Sequence, residues 1–250
     1  MNIKIIVATH KTYSMPEDPA YFPLQVGAAL NPPLEYPGDN TGDNISAKNK
    51  NFCELTALYW AWKNLDADYI GLAHYRRHFR GKDSKIVGQA ELEKLLSRYP
   101  VIMPRKRNYF IETNYSQYVH AHHAADLDEV TRVISEKYPQ YMPAYQRVMK
   151  STEGYRFNMC IMRKDLLHDY CSWLFDILFE VEKNLDISGY SPYDARVFGF
   201  LSERLLDVYI EHNRPELTTL PVLHLESQRW ISKIWNFLRR KFFPGKSKKQ

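Results

Sequence analysis

The sequence predicts an α/β fold in which helices cover a mostly parallel central sheet. The first observation is an apolar run at residues 3–8, short enough for a buried strand. The second is that further apolar runs alternate along the chain with amphipathic helical patterns. The third is the composition: 250 residues, 44% hydrophobic and 25% charged, are enough for one globular domain and too apolar for a disordered chain.

The first half of the chain supplies the opening elements of this fold. Residues 3–8 predict a buried strand, and residues 13–44, rich in Pro, Gly, Asp and Asn, predict a long loop. Ser46 can cap a helix that runs to about residue 65. Residues 69–73 predict a second strand, residues 89–98 a helix, and residues 101–103 a strand closed by Pro104.

The second half continues the alternation. Helices are predicted at residues 126–137 and 144–150, with Pro139 and Pro143 breaking the chain between them. A strand at 157–162 precedes a long helix at 164–183, and a further helix runs from Pro192 to about residue 211. A last strand covers residues 217–223.

The charge is concentrated at the C-terminus. The net charge is +5, yet eight basic and no acidic residues follow Glu226, which leaves residues 1–226 with 26 basic and 29 acidic residues. We therefore expect a domain at 1–226 and a basic amphipathic tail at 227–250. A helix there, with an apolar stripe including Trp235 and Phe242, suits an anionic membrane surface, and packing on its own domain is the alternative. The acidic body argues against nucleic-acid binding.

Several function classes are disfavoured by what the sequence lacks. Cys53, Cys160 and Cys171 form no C-x-x-C pair, which argues against a disulfide framework or zinc cluster and fits a reducing cytoplasm. No apolar run approaches the roughly 20 residues of a membrane span. The sequence also contains no Walker loop, G-x-S-x-G, H-E-x-x-H or G-x-G-x-x-G motif.

Polar clusters at strand ends are the candidate binding groups, because ligands of open α/β sheets sit where loops leave the strands. These clusters are Thr9-His10-Lys11, residues 74–78 and Arg105-Lys106-Arg107. Arg76 and Arg77, directly after a buried strand, can hold a diphosphate through paired, charge-assisted hydrogen bonds. A solvated basic turn is the alternative interpretation.

Other candidates lie near helix starts and in loops. Asp43 and Asn44 precede a helix start, which suits an anionic or hydroxyl-rich ligand or merely caps the helix, and Glu54 lies near its apolar face. The run at 120–123 holds three histidines without a standard metal-ligand spacing, so loop histidines are favoured, with one available as a base or sugar contact. The side chains of Asn158, Arg196 and Glu203 can either line a binding cleft or belong to an internal network of structural contacts.

Five blocks of the sequence resemble a bacterial family first catalogued as a domain of unknown function. Its members occur in capsule, exopolysaccharide and O-antigen gene clusters and are regarded as glycosyltransferases, some similar to galactofuranosyltransferases. The blocks span residues 42–46, 53–63, 71–77, 158–162 and 196–205.

The resemblance implies a GT-A-like fold, a UDP-sugar donor, possible transfer of galactofuranose or galactose, and a lipid-linked polysaccharide acceptor at the inner face of the plasma membrane. The GT-A Asp-x-Asp motif is replaced here by His74-Tyr75-Arg76, since Asp66 and Asp68 precede the strand. We therefore expect the arginines to replace a metal, so that no cofactor is needed; a divalent metal is the less favoured alternative. A non-catalytic nucleotide- or sugar-binding partner protein on a related fold is the alternative function.

The expected site residues fall into three groups. The catalytic candidates are Glu203, Asp194, Arg76 and Arg77, with Glu54 and Asp43 as further candidate bases. The donor-binding candidates are Thr9, His10, Lys11, Asp43, Asn44, His74, Tyr75, Asn158 and Arg196. The acceptor-binding candidates are His122, His123 and Tyr155.

Overall fold

The apolar runs of the sequence become strands in the computed structural model, which describes residues 1–226; the predicted tail lies outside the described residues. The strands are β1 (Ile3–Thr9), β2 (Tyr21–Gln25), β3 (Tyr69–His74), β4 (Arg77–Phe79), β5 (Val101–Pro104), β6 (Arg107–Asn108), β7 (Glu153–Gly154), β8 (Cys160–Arg163), β9 (Leu217–Leu220) and β10 (Val222–His224). All except β6 and β7, which pair separately, belong to one sheet.

Eight α-helices lie between these strands. They are α1 (Asn49–Phe52), α2 (Leu55–Asn64), α3 (Gln89–Leu96), α4 (Asn114–Ala121), α5 (Ala124–Lys137), α6 (Met142–Lys150), α7 (Lys164–Asn184) and α8 (Val197–Asn213) within residues 1–226. Short 3₁₀ turns precede α1, α6 and α8 at Ser46–Lys48, Pro139–Tyr141 and Asp194–Arg196.

The sheet is mixed, with parallel pairing between β1 and both β2 and β3, and between β5 and β9. β8 lies antiparallel between β3 and β5, so β3 and β5 run in the same direction. β4 folds back beside the end of β3 and pairs with β10. The predicted α/β class with a mostly parallel central sheet is confirmed, and the carboxyl ends of β1, β3 and β5 share one edge.

The core lies on both faces of the sheet, because successive strand residues point to opposite sides. In β1, Ile6 and Ala8 pack on the larger face beneath α2 and α5 to α8. Ile5 and Val7 pack on the other face with Phe79 and residues of α3. The sheet is therefore buried on both sides, which explains why its strands read as continuous apolar runs.

Two ordered elements were not predicted. Residues 13–44, expected to be mostly loop, also contain the short strand β2 at residues 21–25 despite Pro23. β2 pairs with β1 at the edge of the sheet, and a proline, which has no N–H, is tolerated in an edge strand. α4 was also not predicted: its N-cap Thr113 forms a capping box with Ser116, a weaker sequence signal than the usual Glu.

Three predicted elements are shorter or interrupted. The continuous helix expected from Ser46 to about residue 65 is broken at Cys53, whose φ of 53° and ψ of −130° end α1 before α2 begins. The strand expected at 157–162 begins only at Cys160, since Phe157 and Asn158 have φ of 74° and 54°. The last strand divides at Pro221 into β9 and β10.

Candidate functional site

A cavity of about 540 Å³ opens at the sheet edge where β1 and β3 end. The parallel register places Ala8 beside His74, and the Tyr75 N–H donates to the Ala8 carbonyl oxygen at 3.2 Å. Two strand-end clusters of the sequence thus meet at one site. The cavity is lined by these sequence-predicted residues: His10, His74, Tyr75, Arg76, Arg77, Arg196, Glu203 and Glu54.

Two adjacent guanidinium groups form the cationic side of the cavity. Arg76 lies 5.0 Å from the Tyr75 ring centre, and its Nη1 contacts Glu226 Oε2 at 3.1 Å. The Arg77 guanidinium lies 4.5 Å from the ring centre of Phe157. Burial, reinforced by the neighbouring Arg76 charge, lowers the pKa of Arg77. Arg77 therefore carries positive charge that has lost part of its hydration, which favours anion binding, while Arg76 is partly exposed and paired with Glu226.

His10 faces the same cations from the end of β1. Its ring contacts Tyr75 edge-on at 5.3 Å between centroids. Burial lowers the pKa of His10, and the charges of Lys11 and Arg76 lower it further. His10 is therefore neutral near pH 7 and offers the cavity a hydrogen-bonding imidazole.

Two carboxylates line the cavity with these cations. Glu203, on the cavity side of α8, accepts the Phe157 N–H at Oε1 (3.0 Å), and its Oε2 contacts Arg204 Nη1 at 3.1 Å. Glu54, at the start of α2, accepts a hydrogen bond from Asn158 Nδ2 at 2.8 Å. Each carboxylate is held in place by one of two consecutive residues, so their positions are coupled through the backbone of that turn.

The turn at Phe157 and Asn158 forms the wall between the two carboxylates. Both residues have left-handed φ, which Asn tolerates and Phe adopts only under strain. The Phe157 carbonyl contacts His74 Nε2 at 2.6 Å. The Asn158 amide is buried, donating also to the Gly199 carbonyl oxygen (3.1 Å) and accepting from Ser202 Oγ (2.6 Å). Asn158 thus lies behind the cavity wall and supports it.

The break between α1 and α2 brings α8 to the cavity. Arg196 Nε lies 3.2 Å from Cys53 Sγ, and a Cβ on Gly199 would approach Cys53 Cβ and Sγ to 3.3 Å. Burial raises the pKa of the Cys53 thiol to about 11, with Glu54 adding to the effect and Arg196 opposing it. Cys53 is therefore a neutral packing residue near pH 7 rather than a thiolate.

Sequence reasoning did not single out several residues that line the cavity. They are Ala8, Val26, Lys50, Cys53, Phe157 and Gly199, whereas Asn49 and Phe200 were noted beside the candidate residues without an assigned role. Lys50 and Cys53 enter the wall because α1 ends early, and Phe157 enters because of its left-handed backbone. The pair Asn49 and Asn51 at the presumed helix start was the available signal, since both are weak helix formers that favour turns.

Part of the predicted donor set does not line the cavity. Thr9 is buried and bonds the Lys11 carbonyl oxygen through Oγ1 at 2.6 Å, while the Lys11 ammonium lies 5.2 Å from the Tyr75 ring centre. Asp43 instead accepts from Tyr59 Oη at 3.1 Å, and Asn44 bonds the backbone of its own loop. These contacts organise the surroundings of the cavity.

Three of the remaining candidates, His122, His123 and Asp194, form a histidine–aspartate cluster beside the cavity. His122 Nδ1 lies 3.4 Å from Asp194 Oδ1, and His123 Nε2 lies 3.8 Å from Asp194 Oδ2. The His122 ring stacks on Phe200, a residue of the cavity wall, at 4.2 Å between centroids. Tyr155 lies in a second cavity of about 230 Å³ with Lys106.

The donor set at the end of β3 does not fit a divalent cation. The position after this strand carries Arg76 and Arg77, whose cationic groups repel a metal ion, instead of carboxylates. Asp66 and Asp68 lie at the opposite end of the strand, bonded to Lys164 and the Asn2 N–H. Within residues 1–226, no group of three His, Cys, Asp or Glu side chains is arranged to hold a metal ion.

Comparisons with known proteins give a family for this chain and a solved structure that resembles it. The family model described as a domain of unknown function, DUF4422, matches residues 4–214. No curated protein matches the chain. The structure of this chain is similar to the apo structure of WbbM, a bifunctional glycosyltransferase, with a TM-score of 0.82 and 30% sequence identity. The match covers 91% of this chain and 46% of the WbbM chain. The predicted GT-A-like architecture is thereby confirmed, while this chain spans less than half of WbbM.

No helix within residues 1–226 combines the length and apolar character needed to cross a membrane.

Proposed function

The chain belongs to the DUF4422 family, and on that basis we propose that it is a glycosyltransferase that moves a sugar from a nucleotide-sugar donor to a glycan acceptor. The likeness to part of WbbM, a bifunctional glycosyltransferase, supports this class of reaction. The observation that carries the proposal is one cavity holding Arg76, Arg77 and Arg196 together with the carboxylates of Glu203 and Glu54.

The arginines have the chemistry required for the donor pyrophosphate. Breaking the bond between the sugar and the diphosphate places developing negative charge on the leaving nucleotide. Arg76 and Arg77 follow one another at the end of β3, so both guanidiniums can bind oxygens of one diphosphate. In this proposal they stabilise the leaving group directly, and a divalent metal is not required.

Glu203 is the preferred catalytic base. A transfer that inverts the sugar requires one carboxylate to accept the proton of the acceptor hydroxyl as the new glycosidic bond forms. Glu203 lines the cavity and is fixed by the Phe157 N–H. Glu54 is the second candidate, while Asp194 is engaged with His122 and His123 outside the cavity lining.

The finer assignment extends this reaction to polysaccharide synthesis. We infer UDP as the nucleotide, galactofuranose or galactose as the sugar, and a lipid-linked capsular or O-antigen glycan as the acceptor. The protein would work as a peripheral protein at the cytoplasmic face of the plasma membrane, with the basic segment at 230–250 contributing to the attachment.

A panel of nucleotide sugars measured by thermal shift, with and without manganese, tests the donor class. We expect one UDP-sugar to raise the melting temperature selectively, because a ligand bound only by the folded state stabilises it by mass action. Arg77→Ala should abolish the shift, whereas Arg98→Ala, far from the cavity at the amino end of β5, should leave it unchanged.

Turnover assays separate an enzyme from a binding protein. Arg76→Ala should lower donor hydrolysis or transfer by orders of magnitude, while EDTA has little effect. Strong EDTA inhibition reversed by manganese would contradict the metal-free scheme. Selective UDP binding without transfer or slow donor hydrolysis would instead support a non-catalytic nucleotide-binding partner protein.

A further inference from the structure

The segment that follows β5 presents an aromatic side chain to solvent. We call residues 105–112 the basic–aromatic loop. Phe110 is 83% exposed, the highest value among the large hydrophobic residues of the described chain, and the adjacent Ile111 is 58% exposed. Neighbouring exposed apolar side chains rimmed by polar residues are typical of interaction sites, so Phe110 and Ile111 form a candidate contact surface.

A strained turn holds Phe110 outward. Its φ of 60° is left-handed, and the Ile111 N–H closes a three-residue turn on the Tyr109 carbonyl oxygen at 2.6 Å. The Phe110 N–H also donates to Asn108 Oδ1 at 2.6 Å. Bulky residues adopt this conformation only where the surrounding structure imposes it. The exposure of Phe110 is therefore built into the loop.

The base of the loop is anchored to the body of the protein. The Tyr109 N–H donates to the Thr152 carbonyl oxygen at 2.8 Å, and Arg156 Nε donates to Tyr109 Oη at 3.3 Å. Arg156 is itself buried and paired with Asp207 at 3.1 Å. Because its base is fixed, the loop can insert Phe110 into a partner without a large ordering cost.

Positive charge is concentrated in the same loop. Arg105, Lys106 and Arg107 are exposed, with the Lys106 ammonium 5.3 Å from the Tyr155 ring centre and the Arg107 guanidinium 5.5 Å from that of Tyr109. Glu112 is buried and contacts His120 Nδ1 at 2.6 Å, which turns its charge inward. The exposed carboxylate of Glu153, opposite Asn108 in the β6–β7 pair, is outnumbered by these cations. An exposed aromatic side chain in a loop that also carries exposed cations is complementary to an anionic lipid surface. There the ring enters the interface and the cations contact the headgroups.

The loop also lies at the correct edge of the molecule. β5 runs in the same direction as β3, so the loop leaves the sheet at the edge where the cavity opens. We propose that the basic–aromatic loop docks the protein on an anionic membrane, with Phe110 inserted at the interface. This surface is distinct from the basic segment at 230–250, and it would orient the cavity toward a lipid-borne acceptor if the proposed function holds.

Vesicle partitioning of the full chain tests the docking loop. We would measure binding to phosphatidylcholine vesicles with and without phosphatidylglycerol. Phe110→Ser should weaken binding to the anionic vesicles about fivefold to tenfold, and Lys106→Glu with Arg107→Glu by more than tenfold. Tyr99→Ser is the matched control, since Tyr99 is also exposed but stands at the amino end of β5, on the opposite sheet edge.

Hydrogen exchange distinguishes the loop from the basic segment, which is present in every variant. Anionic vesicles should slow exchange in residues 105–112. Wild-type binding by both loop variants, or equal losses in the Tyr99→Ser control, would overturn the proposal. Weaker use of a soluble acceptor with unchanged vesicle binding would overturn it as well and assign the loop to glycan contact. None of the vesicle measurements requires a nucleotide sugar, so they fail independently of the proposed donor chemistry.

Discussion

Glu203 is the carboxylate of the candidate site whose two oxygens are both held by neighbouring groups. One carboxylate oxygen accepts the Phe157 N–H and the other contacts Arg204, which does not line the cavity. The carboxylate is therefore fixed at the cavity wall by a backbone N–H and by a cation outside the cavity lining. A base must be fixed in this way to meet an acceptor hydroxyl at hydrogen-bonding distance.

Glu203→Gln should lower the transfer rate by about 10²- to 10⁴-fold, the usual contribution of a general base. The amide oxygen can still accept the Phe157 N–H, so we expect the melting temperature to stay near the wild-type value. Steady-state kinetics with the donor found by thermal shift would measure the loss. Glu216→Gln, at an exposed position outside the cavity, is the control; a rate within a few-fold of wild type would transfer the role to Glu54.

His78 gives the protein a pH dependence unrelated to catalysis. The side chain is fully buried on β4 beside Tyr21, and burial lowers its pKa to about 4. The unfolded chain takes up this proton near pH 6.5, whereas the folded chain resists it. The stabilising contribution of neutral His78 is therefore complete above pH 6.5 and is lost as the pH falls from 6.5 toward 4.

His78→Phe should remove this dependence. Between pH 7.5 and pH 5, we expect the free energy of unfolding of the wild type to fall by about 2 kcal/mol more than that of the variant. Urea unfolding at the two pH values measures the difference. Parallel losses in the two proteins would show that His78 titrates normally.

At the scale of elements, the sheet depends on a close approach between β3 and β8. Gly71 pairs with Ile161, and a Cβ on Gly71 would lie 2.9 Å from the Cys160 carbonyl oxygen and 2.8 Å from Ile161 Cγ1. Backbone cannot yield as a flexible side chain can, so the glycine permits this antiparallel crossing at the centre of the sheet.

Gly71→Ala should destabilise the fold by about 1 to 3 kcal/mol because the added methyl group overpacks the sheet. The matched control is Gly189→Ala, where no atom lies within 4 Å of the new Cβ. Denaturant midpoints compare the two variants. Equal midpoints would mean that β3 and β8 separate without cost.

The same scale shows what sequence reasoning can reach. Strong apolar periodicity predicted β1, β3, α3, α5 and α7 to within a few residues, because burial on a regular element leaves a local pattern. The helix break at Cys53 and the turn at Phe157 leave no such local pattern in the sequence. Their unusual backbone is imposed by contacts with Arg196, Gly199 and Glu203, which are distant in sequence.

The site was predictable to the same extent. The placement of Arg76, Arg77 and His10 followed from strand ends that share one edge, a rule of sheet topology. Asp43 and Asp194 had equally suggestive residue types but face other partners, Tyr59 and His122. Residue type alone does not tell which way a loop side chain points.

On the scale of the whole molecule, stability should increase from the periphery toward the centre of the sheet. β3 is paired along both edges, with β1 on one side and β8 on the other, and residues such as Leu72 and Ile161 are fully buried. β2 lies at the edge, and the basic–aromatic loop projects into solvent.

Hydrogen exchange followed by mass spectrometry should rank these regions. Amides of β1, β3 and β8 should exchange only on global unfolding, while those of β2 and of the loop connecting β4 to α3 exchange through local opening. Exchange of β3 ahead of β2 would contradict this order. The experiment needs no ligand and so tests the fold separately from the function.

The cavity wall is assembled from residues spread along most of the chain, from Ala8 and His10 to Arg196 and Glu203. During synthesis on the ribosome, the wall is therefore incomplete until α8 has emerged from the exit tunnel. A ligand of this cavity therefore cannot stabilise the shorter nascent chains. The domain must fold before the cavity can bind, and a ligand can stabilise only the completed wall.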